Sequence, residues 1–349
     1  MNTSTAAWLD EVDVAVVSHN GHATLPRVLG CLVAAGVPSD RITLYDIAST
    51  DATALWLARD WPTVRVVSMA HNEGPNPARN RAIAAAHRPY LLLVDSDAYL
   101  QPTAPSALRN AMARGVGASV PVVVHEQDPS RIQYAGSRLH FICEAITPWA
   151  DRALTDRGTQ DADIGTAPGV CFLLNIEAAR SVGGFDERYF MGKEDGEFCF
   201  RLLSAGFRLV ETPSAIVEHG SRPRSTWLYP FQIRNRWHFM LKNYEIRTLL
   251  LIAPALLLHE PLQFAILVAK GEAPAYFRAL RELRILARGL MQDRRAVESR
   301  RRTHDRDILA AAPLVVRRDV ADSGVSRLAK RLYDSWLIGY WTVASLFLR

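Results

Sequence analysis

An uninterrupted apolar run, Leu91-Leu92-Leu93-Val94, empties into Asp95-Ser96-Asp97. Two carboxylates one residue apart at the mouth of a buried strand offer hard oxygen ligands on a rigid platform. Magnesium or manganese takes such ligands, above all when substrate phosphates complete the shell. The same tripeptide also reads as an ordinary surface turn, because Asp and Ser are common turn formers. The elements around it therefore have to decide.

Those elements alternate. Val12 to Ser18 is a short β-branched run closed by His19-Asn20-Gly21, and Leu25 to Ala35 then spaces its apolar residues at helical intervals. Ile42 to Tyr45 stops at Asp46, and Ala52 to Asp60 follows as a helix capped by Asp51 or Ser49. Val64 to Val67, a helix from Pro77 to His87, and Tyr90 to Val94 continue the series. Alternation of this kind predicts an α/β fold, a mostly parallel sheet with helices on both faces. In such sheets ligands bind where strands end at their carboxyl edge, which is where Asp46 and Asp95 fall.

Several segments taken together resemble glycosyltransferase family 2, whose catalytic domain has the Rossmann-like GT-A fold. Val16-Val17-Ser18-His19-Asn20 is similar to the family's first strand and loop, which places Ser18 and Asn20 beside the nucleotide sugar. Asp46-Ile47-Ala48-Ser49-Thr50-Asp51-Ala52-Thr53 resembles D-N-x-S-x-D-x-T, with Ile47 in place of the usual Asn, and gives Asp46 the nucleotide base. Asn72-Glu73-Gly74 with Ala78-Arg79-Asn80 resembles the segment lying against the nucleotide sugar, so Arg79 and Asn80 join that set. Asp95-Ser96-Asp97 matches the family's D-x-D, where the acids hold ribose and metal. Asp97 is the foremost metal ligand implied, with Asp95 beside it.

Further along, Gly183-Gly184-Phe185-Asp186-Glu187 followed by Glu194-Asp195-Gly196-Glu197 and Arg201 resembles G-G-F-D-E…E-D-x-D…R, with Glu197 for the usual Asp. The resemblance implies that Asp195 is the general base. Glu194, Gly183 and Gly184 would then support the site or the acceptor. It also implies a metal-directed role for His219 after the strand-like Ala215 to Glu218, and a cation near the diphosphate at Arg234. The Q-x-x-R-W motif of processive synthases is not reproduced, since Gln232 and Arg236-Trp237 are one residue too far apart.

After Tyr244 the composition changes. Residues 1–245 are expected to form the catalytic domain, and residues 246–349 a helical tail, partly hydrophobic and partly basic. Leu249 to Leu258 is apolar, His259-Glu260-Pro261 interrupts, and Leu262 to Ala269 resumes. A spanning helix needs about 20 mostly apolar residues, and a charge and a proline near the middle count against one. Insertion at a membrane surface is the expected mode, with core or dimer packing and a true span as the alternatives. Arg281, Arg284 and Arg288 share one helical face, a pattern suited to anionic lipid and also to plain solvation. Trp336 to Leu348 is apolar and aromatic but short for a span. Within the family this layout resembles bacterial rhamnosyltransferase-type enzymes that build cell-surface glycans on polyprenyl carriers. That resemblance implies a nucleotide-diphosphate sugar donor and a lipid-linked saccharide acceptor.

Composition bounds the alternatives. At 349 residues and 49% hydrophobic content, the chain can bury a full core. Cys31, Cys143, Cys171 and Cys199 form no C-x-x-C pair, so neither a zinc cage nor a disulfide framework is indicated. Asp10 and Glu11 stand where an export signal would need basic residues. A peripheral protein on the cytoplasmic face of a membrane is expected. The net charge of +5 and the arginine-rich stretch from Arg278 to Arg306 come with no nucleic-acid motif. A nucleotidyltransferase would want a glycine-rich basic loop, which His19-Asn20-Gly21-His22 does not supply. A non-catalytic nucleotide-sugar scaffold would not need both carboxylate pairs. Homo-oligomerisation and the donor sugar are left open.

Overall fold

The computed structural model describes residues 8–220, 226–314 and 324–348. Its strands are β1 (Val12–Ser18), β2 (Ile42–Asp46), β3 (Arg65–Ser68), β4 (Tyr90–Asp95), β5 (Ala98–Leu100), β6 (Val116–His125), β7 (Ile132–Tyr134), β8 (Arg138–His140), β9 (Ala145–Ile146), β10 (Ala162–Asp163), β11 (Cys171–Asn175), β12 (Arg208–His219) and β13 (Leu309–Ala310). The helices are α1 (Leu25–Ala34), α2 (Thr53–Asp60), α3 (Pro75–Ala85), α4 (Ala104–Asn110), α5 (Ile176–Ser181), α6 (Glu194–Ser204), α7 (Tyr229–Asn243), α8 (Ile246–Ala269), α9 (Ala273–Leu286), α10 (Leu290–Glu298), α11 (Asp305–Ile308) and α12 (Gly324–Ala344).

The main sheet runs β10-β12-β6-β11-β4-β1-β2-β3, with β5 paired to β12 and β7 to β6. β4, β1, β2 and β3 are parallel, as are β6 and β12, while β11 runs antiparallel between β4 and β6. Alternation fixes which side each residue serves. In β4, Leu92 and Val94 join the core under α1, α2 and α4, whereas Leu91 and Leu93 join the core under α3, α5 and α6. A strand buried on both faces has to be apolar throughout, and the run before Asp95 is. The final strand is longer than Ala215 to Glu218. It spans twelve residues, and a register irregularity between Thr212 and Ile216 hides its first half from a period-two reading.

A third core joins the β8–β9 hairpin to α7, α8 and α12 through Phe141, Phe239, Ile252, Leu256, Leu337 and Trp341. Here the structure corrects an expectation, because His259-Glu260-Pro261 does not interrupt anything. α8 is one 24-residue helix with Pro254 and Pro261 inside it. The polar residues face the protein: Glu260 accepts from Arg236, Trp237 and Tyr276, and His259 is bonded to Tyr333. Among the described residues α8 is long and apolar enough to cross a membrane by length and composition.

Candidate active site

The carboxyl ends of β1, β2 and β4 lie side by side, since Ser18 is in register with Asp46 and Val17 with Asp95. Backbone and side-chain bonds lock the loops that follow. Ile47 N–H donates to the Ser18 carbonyl (2.7 Å), Asn20 N–H to Ser49 Oγ (2.8 Å), and Thr50 N–H to Asn20 Oδ1 (2.8 Å). Asn20 therefore ties one loop to the next, with its own φ in the left-handed region at 52°. Asp46 is buried and accepts from the Ser49 hydroxyl, while Asp51 accepts Thr53 N–H (3.0 Å) at the start of α2. The Ser18 hydroxyl is buried with no hydrogen-bond partner. Ile47, where the family keeps Asn, is buried.

The centre of the site is Arg79. An arginine in a helix ordinarily faces water, yet this one is 2% exposed. Its Nη1 donates to Asp195 Oδ1 (2.6 Å) and its Nη2 to Asp95 Oδ1 (3.1 Å). Two carboxylates a hundred residues apart in the chain thus share one guanidinium. Gly169 N–H donates to the other Asp195 oxygen (2.8 Å), and a Cβ on Gly169 would collide with Arg79 Nη2 and Asp195 Oδ1. Burial is the main reason the Asp95 carboxyl is pushed up to about 7, with Asp97 and Asp195 adding repulsion that Arg79 partly offsets. Burial and Asp195 also push Glu194 upward, and its Oε2 is buried without a partner. Ser96 lies half-buried between the two acids of its tripeptide.

Asp97 and His219 meet because β5 pairs with the end of β12, putting Ala98 opposite His219. His219 Nε2 is 3.6 Å from Asp97 Oδ1, and His219 Nδ1 is bonded to Gln133 Oε1 (2.8 Å). With its proton on Nδ1, toward Gln133 Oε1, His219 would turn the Nε2 lone pair toward Asp97, the arrangement a metal-binding histidine uses. No group of three or more His, Cys, Asp or Glu among the described residues forms a ready-made cage. Two protein ligands fit a divalent ion whose remaining positions belong to water and substrate phosphate.

Other expected residues are placed elsewhere. Asn80 holds the Gly183-Gly184-Phe185 loop, donating to the Phe185 carbonyl (2.9 Å) and accepting from Phe185 N–H (2.7 Å). Gly184 has φ +67° and sits so close to Asn80 that a Cβ would strike its Oδ1; Gly183 has φ +86°. These residues shape the loop. Arg234 donates to Glu282 Oε2 (2.7 Å), tying α7 to α9. The motif reading passed over a buried ionic network in which Lys242 bonds Asp186 (2.6 Å) and Glu197 (2.9 Å), and Arg201 forks onto Glu197 (2.7 and 2.8 Å). The i, i+4 spacing of Glu197 and Arg201 was the available signal, whereas nothing in the sequence pointed to Lys242.

The family model described as Glycosyl transferase family 2 matches residues 13–183. An N-acetylglucosaminyl-diphospho-decaprenol L-rhamnosyltransferase of Mycobacterium tuberculosis is 30% identical over 236 residues, covering 60% of this chain and 76% of that protein. The succinoglycan biosynthesis protein ExoO of Rhizobium meliloti is 29% identical over 42% of this chain and 40% of its own. Among solved structures, GalNAc-T7 with UDP, GalNAc and Mn2+ superposes with a TM-score of 0.53 at 18% identity over 67% of this chain. The match takes in 48% of that chain, so this protein spans about half its length. S. aureus TarS 1-349 in complex with UDP-GlcNAc gives a TM-score of 0.51 at 14% identity, over 96% of this chain and 90% of its own. The fold is GT-A.

Proposed function

Since this chain belongs to glycosyl transferase family 2 and is a glycosyltransferase, we propose that it moves a sugar, with inversion, from a nucleotide-diphosphate donor to a hydroxyl of a lipid-linked saccharide. The observation that carries this reading is the buried Arg79 bridge, which draws Asp95 and Asp195 to one guanidinium. Residues 1–245 are the catalytic unit in this reading. Ser18, Asn20 and Asp46 face the nucleoside, and Asp95 with Ser96 the ribose.

Asp97 and His219 would hold a divalent cation, magnesium or manganese, whose charge stabilises the diphosphate leaving group. Asp195 receives the proton of the acceptor hydroxyl as its oxygen attacks the anomeric carbon. The bond from that carbon to the diphosphate oxygen breaks, and its electron pair leaves with the diphosphate. Arg79 and the Gly169 N–H hold Asp195 in place and aimed before the hydroxyl arrives. Glu194, its pKa raised, keeps a proton to donate to the acceptor. The test is Asp195→Asn. Transfer should fall by about 10^3-fold or more, while nucleotide-sugar binding measured by calorimetry stays near wild type. Unchanged turnover would remove Asp195 from the reaction.

Residues 246–349 are proposed to attach the enzyme to the cytoplasmic face of a membrane. The outward stripe of α8, from Leu250 through Leu257, Leu258 and Leu262 to Val268, is apolar and exposed. On α9, exposed Phe277 and Ile285 stand among Arg278, Arg281 and Arg284. An apolar stripe flanked by arginines suits an anionic lipid surface. Sedimentation with phosphatidylglycerol vesicles checks this, and a protein left wholly in the supernatant would refute it.

A further inference from the structure

The fold holds His219 by its backbone, and a buried amide meets its ring. Ala98 on β5 and His125 on β6 lie opposite it in the sheet, and Glu126 N–H donates to its carbonyl (3.1 Å). The preceding residue, Glu218, is ion-paired with Arg27 on α1. The strand end is thus pinned from both sides. What the sheet does not set is how the imidazole turns on its two torsions and which nitrogen carries its proton.

Gln133 comes from another part of the sheet. Its strand, β7, pairs with β6, and the nearby Ile132 and Ala135 belong to a small apolar core with Val122 and Val124. A glutamine buried to 9% exposure in such a strand asks for a partner. It reaches across the end of β6 to His219, where its Oε1 stands 2.8 Å from Nδ1. The contact joins residues 86 positions apart, so no motif announces it. On the other side of the ring, Nε2 is 3.6 Å from Asp97 Oδ1, and both side chains are partly open to solvent.

We propose that Gln133 is a positioning residue for the cation: its amide oxygen accepts from Nδ1, orients the imidazole and keeps the proton on that nitrogen, so that Nε2 presents a lone pair beside Asp97. The proposal rests on the reading above in which Asp97 and His219 hold a divalent ion. A neutral imidazole has one donor and one acceptor nitrogen, and an amide oxygen can only accept. The bond to Gln133 and a bond from Nε2 to a metal therefore call for the same tautomer. An apolar side chain at position 133 would leave both the ring and its proton uncommitted.

The probe is manganese(II) alone, titrated into the full-length protein while the free ion is followed by electron paramagnetic resonance. Gln133→Leu should weaken binding by about 10- to 100-fold, the effect of losing an outer partner of a metal ligand. Gln133→Glu, which keeps an acceptor there, should stay within about twofold of wild type. In a His219→Ala background Gln133→Leu should cost nothing further, because the glutamine acts through the ring. Nitrogen modulation in the spin echo of the bound ion reads the ring directly. It should be present in wild type and Gln133→Glu, and absent from His219→Ala and Gln133→Leu at saturating manganese. A merely structural role would lower the thermal midpoint and leave that nitrogen signal intact. Wild-type affinity in Gln133→Leu, a nitrogen signal that survives in it, or Gln133→Glu as weak as Gln133→Leu would overturn the proposal and leave the transferase reading untouched. Wild type that binds no manganese, or binds it as well after Asp97→Asn, would remove the metal site and the proposal with it. A protein that shows the expected manganese behaviour yet binds no nucleotide sugar would refute the transferase reading alone.

Discussion

The first turn of α6 carries two buried acids with opposite fates. Glu197 is fully matched: Arg201 forks onto it, Lys242 and Asn243 also reach it, and these partners hold its carboxyl at about 2. Glu194, earlier in the same turn, is also buried but has an unpartnered oxygen, and burial together with the like charge of Asp195 pushes its carboxyl up. Both occupy a helix N-terminus, which favours anions, so the helix does not explain the difference. The partners do. Matched charge organises the loop–helix junction, and mismatched charge next to it lies at the proposed reaction site, in keeping with the tendency of perturbed groups to gather where chemistry occurs.

Removing a partner from the matched cluster should be the more damaging change to folding. Glu197→Ala leaves Arg201 and Lys242 buried against an empty position and should cost about 3 kcal/mol or more in urea unfolding. A loss under 1 kcal/mol would show that the network is not organised as described. Gly169→Ala comes next, and it strikes the reactive cluster. The added methyl must displace Arg79 or Asp195, and misplacing a catalytic group by a fraction of an ångström should lower kcat by about tenfold. If kcat stays at wild type while stability falls, Gly169 serves packing alone.

Sequence carried one half of this comparison further than the other. The apolar run before Asp95 and the paired acids Asp95 and Asp97 could be read directly, because strand burial and carboxylate spacing are local properties, whereas Asp195 is reached only through its resemblance to a family motif. The link between them could not be read at all. Arg79, in the second turn of α3, looks like a solvated residue in the sequence, and it is enclosed by the distant Asp95, Gly169 and Asp195. Lys242 is equally silent, lying in a helix whose periodicity gives no hint of the acids it meets. The break expected at His259-Glu260 failed for the same reason: their partners, Tyr333, Arg236 and Tyr276, are tertiary.

The finest contrast lies in pH dependence. Asp95 sits at about 7, above its ordinary 3.8, so the folded protein keeps a proton that the unfolded chain has already released. Its contribution to stability is whole below 3.8 and is lost as pH rises through about 7. Glu197, at about 2 against an ordinary 4.5, works the other way: its contribution is present above 4.5 and is lost as pH falls through about 2. Asp95→Asn should therefore gain on wild type as pH is raised from 4 to 7, whereas the deficit of Glu197→Gln should shrink as pH drops below 4.5. Urea midpoints collected across this range measure both. The Asp95 effect should be the smaller, because its side chain is 27% exposed and water discounts it. Curves that stay parallel to wild type for both variants would mean that the two clusters do not differ in the way their partners imply.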